Sequence, residues 1–236
     1  MKFRALVGVP LFAAAFMLTS AAFAQIPPPG AIYTLSVSHP GAISMTESLF
    51  TTSFVADNAS EYVSFAFREI PAFWALDDTS VIVSGGFTQL LADPGFESAT
   101  VGQNIPTGWS RWIQPIDVSF IGLIVSNTAS GNCSADTPTH GGTQFWCDGS
   151  VEGYDALYQH LTGLTPGLSY NVSWYLGHNT GAAPSPPGID MLIYAGDTLP
   201  VGTVQVGVPE PASLALMGLS MAALGIMLAR RRRKAA

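Results

Sequence analysis

From Ala31 to about Val204 the apolar positions recur at every second residue, in short runs cut by turn residues. Tyr33-Thr34-Leu35-Ser36-Val37-Ser38 alternates, as do Thr52-Ser53-Phe54-Val55-Ala56 and Tyr62-Val63-Ser64-Phe65-Ala66-Phe67. A period of two sends alternate side chains to opposite faces of an extended chain, so each run predicts a half-buried strand. Asp57-Asn58 reads as a turn and makes the second and third runs an expected hairpin. Val81-Ile82-Val83 predicts a further strand ending at Ser84-Gly85-Gly86, and others are expected in 118–125, 156–161, 170–176 and 189–194. No stretch of this region keeps helical spacing for three turns. Short strands at this rhythm predict an all-β protein, a β-sandwich.

Both ends of the chain break the pattern. Residues 1–24 have the three parts of a secretory signal peptide: Lys2 and Arg4, then apolar Ala5 to Leu18, then Ala22-Phe23-Ala24 as a small-x-small cleavage site. Ile26-Pro27-Pro28-Pro29-Gly30, within 25–30, is expected to be a stiff lead-in rather than folded structure. At the other end Val208-Pro209-Glu210-Pro211 precedes an uncharged stretch, Ala212 to Ala229, and then Arg230, Arg231, Arg232, Arg233 and Lys234. As a helix, 212–229 spans roughly 27 Å, enough for a thin bilayer, so one C-terminal transmembrane helix is expected. The basic cluster holds its own side in the cytoplasm and leaves everything upstream outside.

This tail, 208–234, resembles the PEP-CTERM sorting signal, in which motif, apolar span and terminal Arg cluster occur in that order. The resemblance implies an exosortase-like processing enzyme as partner, cutting at Val208-Pro209-Glu210-Pro211. It also implies an inner-membrane anchor before processing, and the cell surface or extracellular matrix as destination.

Charge narrows the partners. Between residues 25 and 208 the chain has fifteen Asp and Glu against Arg68 and Arg111 alone. Such a surface repels phosphates, which excludes nucleic acid as a partner. It suits divalent cations better. Cys133 and Cys147 are the only cysteines in an exported chain, so one disulfide is expected. No Gly-x-Ser-x-Gly elbow, His-Glu-x-x-His or phosphate loop is present, and His39, His140, His160 and His178 are scattered. No catalytic residue is assigned, and the expectation is not an enzyme. The alternative is a secreted hydrolase acting on polysaccharide, which needs two carboxyls facing across a cleft. For a sugar platform the candidates are Trp112 and Trp146, placed in loops beside Arg111, Gln114, Gln144 and Asp148.

Three stretches resemble the galactose-binding-like jelly roll of carbohydrate-binding modules. Leu91-Ala92-Asp93-Pro94-Gly95-Phe96-Glu97 with Pro106-Thr107-Gly108-Trp109 resembles its opening. Tyr158-Gln159-His160-Leu161 through Leu164-Thr165-Pro166-Gly167-Leu168-Ser169-Tyr170 resembles its central strands. Phe65-Ala66-Phe67-Arg68 and Phe73-Trp74-Ala75-Leu76-Asp77-Asp78-Thr79-Ser80-Val81 resemble its last two strands. Asp93-Pro94-Gly95 departs from the usual opening. The resemblance implies a jelly-roll β-sandwich over 31–204. Because the ending-like part (31–84) precedes the beginning-like part (88–200), the ectodomain is either one circularly permuted jelly roll or two partial domains in tandem. It further implies a structural Ca²⁺ held by Glu97, Asp77 and Asp78, with extracellular polysaccharide as ligand of a non-catalytic module.

Overall fold

The computed structural model describes residues 26–37, 48–69, 73–115, 122–126, 140–151, 153–179, 189–200 and 202–206. Eleven strands account for its regular structure: β1 Tyr33–Val37, β2 Ser48–Val55, β3 Ser60–Arg68, β4 Phe73–Val83, β5 Ser110–Ile113 and β6 Leu123–Ser126, then β7 Gln144–Asp148, β8 Asp155–Thr162, β9 Ser169–Asn179, β10 Ile189–Gly196 and β11 Val204–Val206. No helix occurs among the described residues, and none there is long and apolar enough to cross a membrane. The expected signal peptide and the 212–229 span lie outside the described residues.

Two antiparallel sheets form, one with the order β1-β10-β3-β8-β5-β11 and one with the order β2-β9-β4-β7-β6. Alternation decides which side chains fill the space between them. Val63, Phe65 and Phe67 of β3, Leu157 and Leu161 of β8, and Met191 and Ile193 of β10 meet Tyr170, Val172, Trp174 and Leu176 of β9 in one buried cluster. Trp74, Leu76 and Val81 of β4 join it, as do Phe96 and Trp109 from the long connection before β5. In each sheet a strand from 31–84 lies between two strands from 88–200, β3 between β10 and β8 and β4 between β9 and β7, and both stretches contribute to the same core.

The all-β expectation holds, but the expected hairpin does not. β2 and β3 lie in different sheets: β2 pairs with β9, while β3 lies between β10 and β8. Asp57-Asn58 is instead an arch between layers, its two backbone N–H groups donating to Glu61 Oε1 at 2.5 and 3.0 Å. Period-two patterning predicts strands but carries no information on which strand lies alongside, so a short link looks the same in a hairpin and in an arch. The lead-in also differs from expectation. Pro28 is buried, Tyr194 Oη donates to its carbonyl at 2.7 Å, and Gln114 Nε2 donates to the Ile26 carbonyl at 3.3 Å. Ile26 to Gly30 thus lies as a strap against the outer face of the six-stranded sheet. A proline-rich segment loses little conformational freedom when it docks, which favours this contact.

Candidate functional site

β4 contains the irregularity that builds one corner of the molecule. Its pairing with β9 shifts between Asp77 and Ser80, so an extra residue is accommodated there. The inward positions change parity in consequence: Trp74 and Leu76 before the shift, Val81 after it. Asp78 takes φ +42°, and the neighbouring Asp93 and Phe96 take +41° and +60°. Left-handed backbone on three non-glycine residues is uncommon and clusters where a surrounding structure enforces it.

The segment His140 to Gln144 binds this corner through Asp77, Asp78 and Glu97. Asp77 is wholly buried, and its Oδ2 accepts from the backbone N–H of His140 at 3.0 Å and of Gly141 at 3.3 Å. Asp77 Oδ1 accepts from the Asp78 N–H at 2.8 Å. Asp78 Oδ2 lies 2.6 Å from His140 Nδ1, and the His140 ring stacks on Tyr175. Glu97 Oε1 accepts from the N–H groups of Thr143 and Gln144, each at 2.7 Å. A Cβ on Gly142 would meet Glu97 Oε1 at 2.2 Å, and φ there is +60°, so only glycine fits.

The three acids expected to hold Ca²⁺ lie at this corner. Glu97, Asp77 and Asp78 reach one loop, where backbone N–H groups donate to both Asp77 oxygens and to Glu97 Oε1, the Thr143 hydroxyl donates to Glu97 Oε2, and His140 meets Asp78 Oδ2. Among the described residues no three His, Cys, Asp or Glu side chains are placed to hold a metal ion. Sequence reasoning passed over His140-Gly141-Gly142, whose visible signal was the paired glycines.

Burial pushes the Asp77 carboxyl up to about 7, and the nearby charge of Asp78 adds to the rise against its backbone hydrogen bonds. A folded value above the ordinary 3.8 means that the folded state holds a proton the unfolded chain has released. Asp77 therefore contributes stability below about pH 4 that is lost as pH rises through about 7. Asp77→Asn should flatten this fall in urea midpoints measured across that range, and an unchanged slope would contradict the assignment.

Burial overturns the sugar platform first expected. Trp112 and Trp146 are both 0% exposed, in β5 and β7 rather than in loops. Trp112 Nε1 donates to Ser64 Oγ at 3.2 Å and Trp146 Nε1 to Asp148 Oδ2 at 3.3 Å, so both indoles are packing groups with no free face. Trp112 nevertheless marks an aromatic surface. The outer face of the six-stranded sheet gathers Trp112, Tyr154, Tyr158 and Tyr194, with Tyr62 at the margin. The strap covers the Tyr194 side. At the other side Tyr62 and His160, directly paired across β3 and β8, stack with ring centres 4.5 Å apart and planes 24° from parallel. Tyr158 meets Tyr62 edge-on at 5.7 Å. Tyr62 is half-buried and His160 exposed. The signal for Tyr62 was its place opposite Val63 and Phe65 in the alternation, on the face away from the core.

Both arginines of the region are buried in ion pairs. Arg111 Nε lies 2.6 Å from Asp155 Oδ1, and Arg68 pairs with Asp190, which also accepts from Tyr154 Oη at 2.8 Å and Ser36 Oγ at 2.6 Å. His178 Nε2 lies 2.8 Å from Glu69 Oε2, also buried. Burial raises the pKa of Asp155, Asp148 and Glu69, while Arg111 pulls the first two back and His178 the third. All of these groups sit where β3 and β9 end and β8 and β10 begin, at one pole of the sandwich. Their burial leaves no exposed arginine or lysine among the described residues.

Fold and tail together define an all-β exported protein with a C-terminal sorting segment. Residues 207–234 match the PEP-CTERM protein-sorting motif. That motif marks a protein exported, anchored in the membrane through its C-terminus and processed by an exosortase. No curated protein and no solved structure matches the chain.

Proposed function

We propose that the chain is a non-catalytic surface protein whose β-sandwich binds extracellular polysaccharide through Tyr62 and His160, and which reaches the cell surface or matrix after processing. The carrying observation is the stacked Tyr62–His160 pair on an outward sheet face. Aromatic rings pack against the C–H faces of sugars, and the directly paired Ser60 and Thr162 next to them offer hydroxyls for orientation. Successive strands from β1 to β6 alternate between the two sheets, which supports reading the sandwich as a jelly roll. The interleaving of 31–84 with 88–200 supports one permuted domain over two partial ones, since isolated halves would expose open edges.

The Cys133–Cys147 disulfide belongs to the same reading. Cys133 lies outside the described residues, while Cys147 is buried in β7 beside Ala75, Val125 and Phe145, and no free cysteine occurs among the described residues. For the rival hydrolase the natural pair would be Asp148 and Asp155. Both are wholly buried, whereas glycoside hydrolysis needs carboxyls about 5–9 Å apart across an accessible substrate.

Titrating the exported protein with oligosaccharides cut from the host's own exopolysaccharide tests the proposal. Tyr62→Ala and His160→Ala should each weaken binding about five- to tenfold, the worth of one aromatic contact, with far-ultraviolet circular dichroism unchanged. Equal binding by both variants would refute the site. Release of new reducing ends would instead favour the hydrolase.

A further inference from the structure

The sandwich has two unlike poles. One holds the buried ion pairs of Arg68, Arg111 and their partners. At the other, where β2 and β4 end and β9 begins, large apolar side chains stand in solvent: Phe87 is 98% exposed, Val55 57% and Leu168 46%. Backbone pairing brings the three together from separate segments. Val55 is paired with Ser169, the Ala56 N–H donates to the Leu168 carbonyl at 3.0 Å, and the Ser84 N–H donates to the Ser169 carbonyl at 2.9 Å. Phe87 follows Ser84 across the turn at Gly85. Exposed apolar groups gathered from three segments mark an interaction surface more often than chance exposure does.

The direction of the last strand says what covers them. β11 runs antiparallel to β5, from Val204 beside Ile113 to Val206 beside Arg111. Because Arg111 pairs with Leu157, the chain leaves β11 at the level of Leu157 and heads the way β8 runs, toward Thr162 and the apolar pole. From Leu157 to Thr162 is about 17 Å of strand. From Val206 to Ala212, where the apolar span begins, the chain extends at most about 20 Å. Pro209 and Pro211 favour an extended path. A link of this length, fully extended, reaches the level of the apolar pole, so that pole lies within reach of the membrane that holds the tail.

We propose that this pole rests on the outer surface of the membrane that holds the tail, with Phe87, Leu168 and Val55 set into the lipid interface. The contact is weak by itself and is populated because the tether keeps the local concentration of lipid high. Cutting at Pro209-Glu210-Pro211 removes the tether and with it the contact, so processing frees the sandwich rather than leaving it on the bilayer. Asp57 and Asp197 lie at the same pole, which favours zwitterionic over anionic lipid.

The full chain carrying Phe87→Cys, or Thr51→Cys on the exposed middle of β2 as control, is labelled with a polarity-sensitive fluorophore. It is then reconstituted through its own tail into phosphatidylcholine vesicles with shallow nitroxide lipids, and only the vesicle-floated fraction is read. Quenching at position 87 should exceed that at position 51 at least threefold, and should fall when anionic lipid is added. Equal quenching at the two positions overturns the proposal. A contact made with the processing enzyme instead of lipid gives that same result, because these vesicles contain no other protein.

Discussion

Replacing Arg111 with Met is expected to cost about 3–5 kcal/mol of stability at neutral pH, the usual loss when one partner of a buried pair is removed. The Arg111 and Asp155 side chains are 2% and 0% exposed, so neither water nor salt can stand in for the guanidinium. Asp155 Oδ2 also accepts from the Gly122 N–H at 3.3 Å, and Asp148 binds the Ser150 N–H and the Trp146 indole. Burial raises the pKa of both carboxyls, and without Arg111 it would raise them further. The folded variant then holds protons that its unfolded chain releases above the ordinary carboxylate pKa, so its stability falls as pH rises from there. Urea midpoints should consequently lie closer to wild type at acid pH than at neutral pH. A gap that does not widen with pH would mean that the pair is not an electrostatic one.

Glu210→Ala is expected to act on fate rather than on folding. The substitution leaves the apolar stretch 212–229 and its basic flank intact, so insertion proceeds as before. Processing should stop, and full-length chain should accumulate in the membrane of a host that makes the exosortase. Gel mobility and fractionation read both outcomes. Normal trimming and release of this variant would show that Pro209-Glu210-Pro211 is not the recognised element. Removing Arg230 to Lys234 should instead disturb orientation, since those residues supply the cytoplasmic charge.

Errors in the sequence reading follow a physical pattern. Tyr33 to Val37 and Tyr62 to Phe67 were legible as strands because large apolar and small or polar residues alternate in them over several positions. β5 and β7 were not, since four or five residues give too few alternations to separate from a loop, and both carry a tryptophan that resembles a surface platform. The acid corner was legible in its members but not in its chemistry. Asp77, Asp78 and Glu97 do meet one loop, yet backbone N–H groups, which every sequence contains and no sequence displays, answer much of their charge. The charge excess was read correctly as a property of the region. The burial of Arg68 and Arg111 was hidden because a count does not say where charges lie.

Local, additive properties were determined by the sequence alone. The sorting tail is one of these, since motif, apolar length and terminal charge act in order along the chain and need no partner in space. The all-β class is another, because period-two patterning is a property of each segment. Tertiary structure alone decided whatever depends on neighbours distant in sequence. It put β2 and β3 in different sheets, laid Ile26 to Gly30 over an aromatic face, and buried Trp112 and Trp146 while leaving His160 exposed. The reason is geometric. Which of two faces meets the core, and which strand lies alongside, is set by how all the segments fill one interior together, and a single segment read by itself is compatible with several such packings.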